Sequence, residues 1–130
     1  MIHSFSCKNF YSFKDKNVLN FVANNKAPKN NGYTSSFLGK RVSKIGTVIG
    51  ANASGKTNLL KVLPFLKWLI VDSFNMPPDA HILIQPFLFG GSKNQPTELS
   101  VVFEINKKIY TYYFLVNKEK ILKEELKLTS

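Results

Sequence analysis

Eight consecutive residues, Gly50-Ala51-Asn52-Ala53-Ser54-Gly55-Lys56-Thr57, satisfy the spacing G-x-x-x-x-G-K-[ST] in full. Each fixed position answers a need of polyphosphate binding. Glycine at 50 and 55 lets the backbone turn tightly and bring its N–H groups within reach of phosphate oxygens. Lys56 offers a point charge for β- and γ-phosphates and is the candidate catalytic residue, while the Thr57 hydroxyl is a candidate Mg²⁺ ligand. A helix opening at Lys56 aims the positive end of its dipole at the same anion.

Such a loop works only with a strand before it and a helix after it. Residues 44–49 read as a buried strand running straight into Gly50. Residues 56–72 have helical spacing, with Leu59, Leu60, Leu63, Leu66, Leu69 and Ile70 on one apolar face. Pro64 lies inside that run and removes one backbone bond, at about 3 kcal/mol unless compensated, so a kink is expected there. Met76-Pro77-Pro78-Asp79 ends the element.

The rest of the chain is β-rich. Residues 2–10 and 18–22 read as strands, and residues 24–39, rich in Asn, Ser, Lys and Gly, as a mobile surface loop. Residues 98–105 and 109–116 are β-branched and aromatic runs joined by Asn106-Lys107-Lys108, and 122–128 would add a third antiparallel strand. The organisation is thus N-terminal strands (1–23), a flexible loop (24–43), strand, glycine loop and helix (44–75), and an antiparallel β region (80–130). The chain stops directly after a strand at Ser130, and the expectation is a truncated, longer protein.

Other chemistry is sparse. Val71-Asp72 and Phe103-Glu104 each end an apolar run in an acid, as a magnesium-site aspartate would. The first lies on the helix after the loop and the second in a hairpin, so both read as structural. The carboxylate that completes the magnesium site and the base that orients water are therefore missing. His3 and His81 have no carboxylate or cysteine partner at ligand spacing, and read as structural. Tyr110, Tyr112 and Phe114 share one strand face that is core, with base stacking as a weaker alternative. A lone Cys7 excludes a disulfide framework and fits a reducing cytoplasm, and no signal peptide or membrane-spanning run is visible. Eighteen basic against eight acidic residues give a net charge of +10, which attracts polyanions. Arg41 is the sole arginine, which argues against base-specific reading of DNA.

Together these residues resemble a family. Ile2-His3-Ser4-Phe5-Ser6-Cys7-Lys8-Asn9-Phe10-Tyr11-Ser12-Phe13 is similar to the "KNFRSF" opening of ABC-class ATPases of the RecF/SMC and OLD type. Gly50 through Leu60 resembles their "GxNxSGK[ST]NLL" loop, with Asn52 and Asn58-Leu59-Leu60 as its distinguishing positions. Pro96-Thr97-Glu98 leading into a hairpin looks like the bacterial AAA-15/AAA-21 type, which includes abortive-infection and phage-defence ATPases.

The resemblance implies an α/β fold, the N-terminal lobe of an ABC-type P-loop ATPase head with an antiparallel β-subdomain. It implies ATP and Mg²⁺ as cofactors, held by Gly50, Asn52, Ala53, Ser54, Gly55, Lys56, Thr57 and Asn58, with Tyr11 and Ser12 near the nucleotide. Tyr11 stands where arginine is usual, exchanging a charged contact for stacking, and Gln85 is a weak candidate for the family's Q-loop. A later C-terminal lobe would supply the signature motif and Walker B acids. Two such heads would sandwich two ATP molecules and drive or gate a DNA-processing or toxic nuclease partner. The alternatives are an unrelated P-loop kinase or GTPase, which would need a compact parallel sheet and, for GTP, an N-K-x-D motif, and a nucleic-acid-binding β module.

Overall fold

A computed structural model describes residues 1–28, 32 and 34–129. Its centre is a five-stranded antiparallel sheet in the order β2-β1-β5-β6-β7, formed by β1 (Ile2–Lys8), β2 (Asn17–Asn20), β5 (Thr97–Ile105), β6 (Lys108–Val116) and β7 (Ile121–Leu128). Alternation sets the faces: Phe5 and Cys7 of β1 align with Val101 and Leu99 of β5, which in turn face Tyr112 and Phe114 of β6. These side chains, with Val116, form one wall of the core. The turn from β5 to β6 uses two residues, one fewer than the sequence suggests. Asn106 and Lys107 adopt φ of 51° and 59°, and Ile105 pairs with Lys108. Two left-handed residues match the right-handed twist of the flanking strands.

The other core wall is helical. Helix α1 (Lys56–Leu60) and helix α2 (Val62–Lys67) follow one path, because Lys61 between them keeps right-handed angles of −72° and −17°. Pro64 cannot donate to the Leu60 carbonyl, yet Lys61 N–H still reaches Thr57 O and Phe65 N–H reaches Lys61 O. The irregularity falls at Lys61, one turn before the proline. A π-helical turn, Trp68–Asp72, and a 3₁₀ turn, Ser73–Asn75, end the element.

Val62, Leu66 and Leu69 are buried against the sheet, with Leu59 and Leu63 packed beside them. Leu60 and Ile70 depart from the expected apolar face, at 59% and 42% exposure. Leu60 lies about 100° around the helix from Leu59, and the wider π turn rotates Ile70 off the stripe that 3.6-residue spacing predicts.

Two further differences concern the first half of the chain. Part of the supposed mobile loop is a hairpin, β3 (Thr34–Phe37) and β4 (Lys40–Ser43), turning through Leu38 and Gly39 with φ of 46° and 76°. Arg41 donates to the carbonyls of Asn24, Ala27 and Pro28 at 2.8–3.1 Å, which ties down residues 24–28. Residues 29–31 and 33 of that predicted loop lie outside the described residues.

Residues 44–49 form no strand. The Ser43 hydroxyl donates to Ile45 O at 2.6 Å, closing a serine turn that diverts the chain, and no described strand runs beside it. Ile45 and Ile49 are consequently 58% and 90% exposed. Gly46 passes over Phe21, whose ring lies 3.0 Å from where a Cβ would stand. Among the described residues no helix is long and apolar enough to cross a membrane.

Candidate nucleotide site

The glycine loop leaves residue 49 as bare, exposed backbone and enters helix α1 at Lys56. Ser54 N–H closes on Ala51 O at 3.2 Å, Ala53 takes φ 62°, and Gly55 takes φ 94° as the residue capping the helix. A Cβ on Gly50 would stand 2.7 Å from Ser54 Oγ, so a side chain there requires the Ser54 hydroxyl to turn away. Gly55 O accepts the first intrahelical bond, from Leu59 N–H at 3.0 Å. Helix geometry leaves the N–H groups of Lys56, Thr57 and Asn58 without intrahelical partners. The positive end of the helix dipole lies at these amides.

Lys56 folds back over the loop. Its Nζ donates to Ala51 O at 2.8 Å and also to Gly50 O. The ammonium thus stands within the bend, held by two carbonyls that an anion can outbid. Asn52, Ala53, Ser54 and Thr57 line the bend and all four are exposed, which leaves its backbone open to a ligand.

The turn after β1 supplies the loop's back wall. Phe10 and Phe13 bond reciprocally at 2.9 Å and throw Tyr11 and Ser12 to the tip. Asn58 Nδ2 donates to Ser12 Oγ. The Phe13 ring lies 3.4 Å from where a Cβ on Gly55 would stand. Lys61 Nζ sits 4.4 Å from the centroid of the Tyr11 ring, a cation–π contact worth about 0.5–1 kcal/mol at an exposed position. Tyr11 N–H donates to Gln85 O at 2.7 Å, so Gln85 meets the turn through its backbone. Lys61 escapes a sequence reading, as does the contact of Phe13 with Gly55, because these contacts cross between the turn and the helix. The only available signal was the motif-like string from Asn9 to Phe13.

The acids lie elsewhere. Asp72 is on the helix, 16 residues beyond Lys56 and hence about 24 Å along its axis. Glu104 bonds His3 Nε2 through Oε2 at 2.6 Å, at the Ile2 end of β1, whereas the glycine loop is at the opposite end. His3 therefore does have a carboxylate partner, contrary to expectation, brought by strand pairing across 101 residues of sequence. Among the described residues no three His, Cys, Asp or Glu side chains group to hold a metal. On the Tyr110–Phe114 face, Phe114 is buried and Tyr112 packs beside it, while Tyr110 is half-buried and stacks on Phe103; the Tyr112 hydroxyl bonds Glu124, pushing its pKa up to about 12. Burial pushes the Cys7 thiol up to about 11.

A family model described as "AAA domain, putative AbiEii toxin, Type IV TA system" matches residues 47–129, which is more than half of the chain. The chain belongs to this AAA domain family. The matched span of the AAA domain begins three residues before Gly50 and takes in the glycine loop, the helix and strands β5 to β7. The turn that walls the loop precedes it. No curated protein and no solved structure matches the chain.

Proposed function

We propose that this AAA domain is the ATP-binding N-terminal lobe of an ABC-type ATPase head in a cytoplasmic protein. The observation that carries this reading is the open bend of residues 50–57 at the mouth of a helix, lying inside the family match. The residues suit a nucleotide. A cradle without side chains at Gly50 and Gly55 admits phosphate oxygens to the amides, and Lys56 needs only to leave the Gly50 and Ala51 carbonyls to meet them. Thr57 Oγ1, exposed at the start of the helix, is the residue that would hold Mg²⁺. When bound, Mg²⁺ neutralises charge on the β- and γ-phosphates. Tyr11 offers a ring beside the loop, and Asn58 with Ser12 fixes the near wall.

Hydrolysis needs a carboxylate and a water-orienting base, and neither Asp72 nor Glu104 stands beside this loop. We infer that those groups come from further sequence or from a second head, and that ATP-dependent pairing of heads gates a toxic or DNA-processing effector. The surplus of basic residues suits an effector that handles nucleic acid.

Titration of the chain with a fluorescent ATP analogue in millimolar Mg²⁺ tests the binding claim. Unlabelled ATP displaces the analogue and duplex DNA does not, while Lys56→Ala weakens binding with an unchanged circular dichroism spectrum. Displacement by DNA instead of ATP would favour the nucleic-acid module.

A further inference from the structure

We propose that Asn9 is a positioning residue for the glycine loop, acting through the Phe10–Phe13 turn. The inference rests on the nucleotide reading above for its functional meaning, though its structural half stands alone. Asn9 is 4% exposed and holds φ 54°, a left-handed conformation that Asn tolerates better than most residues.

Every polar atom of Asn9 is engaged. Nδ2 donates to Ser92 O and Gln95 O at 2.8 Å and lies 3.2 Å from Pro96 O. Oδ1 accepts from Phe87 N–H at 3.0 Å, and its carbonyl accepts from Thr97 Oγ1 at 2.6 Å. Its own N–H donates to Lys14 O at 3.2 Å. One side chain thereby joins the end of β1 to the segment 87–97, which has its own 3₁₀ turn, Ser92–Asn94.

The residue two places on shows what this anchoring serves. Tyr11 also has a left-handed φ, 49°, which for a bulky side chain costs about 1–3 kcal/mol and persists only where its surroundings over-determine it. The turn is pinned on one side by Asn9 and on another by Tyr11 N–H to Gln85 O. It then delivers Ser12 to Asn58 and Phe13 to Gly55, both on the phosphate-facing segment. Loosening Asn9 therefore loosens the wall against which Gly55 holds its own left-handed φ.

Hydrogen–deuterium exchange on the 130-residue chain, without nucleotide, tests the link. Asn9→Asp keeps the size, the Oδ1 acceptor and the tolerance of positive φ, but turns an oxygen toward the carbonyls of Ser92 and Gln95. The hydrogen-bonded amides of Tyr11, Phe13, Ser54 and Leu59 are expected to exchange about tenfold faster, with β5 and β6 unchanged. Thr97→Val removes only the hydroxyl bond and is expected to give about fivefold, which keeps the test open if Asn9→Asp does not fold. ATP affinity falls in the same order.

Unchanged exchange at these four amides in the folded variants, or a uniform rise across the sheet, overturns the proposal. Wild-type protein that fails to bind ATP while the exchange pattern holds refutes the functional reading and leaves the Asn9 linkage intact.

Discussion

Gly55 is where the loop's geometry makes its sharpest demand. Its φ of 94° lies in the region that a Cβ disfavours, while the nearest atoms to an added Cβ are ordinary contacts at 3.4 Å and 3.5 Å. A substitution here is therefore penalised by backbone strain rather than by collision. Strain of this kind costs about 1–3 kcal/mol. If the loop must hold this bend to bind phosphate, the cost appears in affinity as about 5- to 150-fold weaker ATP binding. Gly55 also caps the helix through its carbonyl, so part of the cost is shared with stability.

The identity of the substituent separates strain from size. Asn adopts left-handed angles more readily than Ala, and Val is worst. Calorimetric titration with Mg-ATP, beside urea unfolding of each variant, should rank affinity Gly > Asn > Ala > Val, although Asn is larger than Ala. An order that follows side-chain volume, or a Gly55→Val protein that binds like wild type, would refute the argument from conformation.

Other consequences follow from the same geometry. Lys56→Ala should lower ATP affinity at least about tenfold without lowering the urea midpoint, because Nζ contacts only two exposed loop carbonyls. Leu66→Ala should destabilise by about 2–5 kcal/mol in urea unfolding, since Leu66 is buried against the sheet, whereas Leu60→Gln should cost under about 0.5 kcal/mol. Cys7 has a folded pKa near 11 against an ordinary 9.0, so the unfolded chain ionises first. Its contribution to stability is complete below pH 9.0 and is lost as pH rises towards about 11, and Cys7→Ala should flatten that part of the stability–pH curve. The native thiol should correspondingly react with a thiol reagent near pH ~8 far more slowly than in urea.

What could be read from the chain and what could not divides along locality. The helix opening at Lys56 after the glycine loop and the β5–β6 hairpin depend on neighbours in sequence, and both form as spacing and alternation suggest, the hairpin with a turn one residue shorter. Residues 44–49 misled because an apolar run reads alike whether it pairs in a sheet or turns away. The Ser43 turn and the lack of a neighbouring strand decide, and neither is visible in the run itself. Strand β3 was hidden for the converse reason, its polar composition being overruled by pairing with β4. His3 and Glu104, or Asn9 and its partners in 87–97, meet only because β1 lies beside β5. At the candidate site, Tyr11 and Ser12 could be named from a motif, but the contacts of Phe13 with Gly55 and of Lys61 with Tyr11 required the fold.

The central claim is that backbone amides in the bend after Gly50 bind an anion at the mouth of helix α1. Amide chemical shifts of the ¹⁵N-labelled chain, followed during titration with Mg-ATP, measure it most directly. The largest, saturable shifts are expected on residues 52–57, with smaller ones at Tyr11 and Ser12. Shifts confined to the outer face of the sheet, or none at all at millimolar nucleotide, would contradict it.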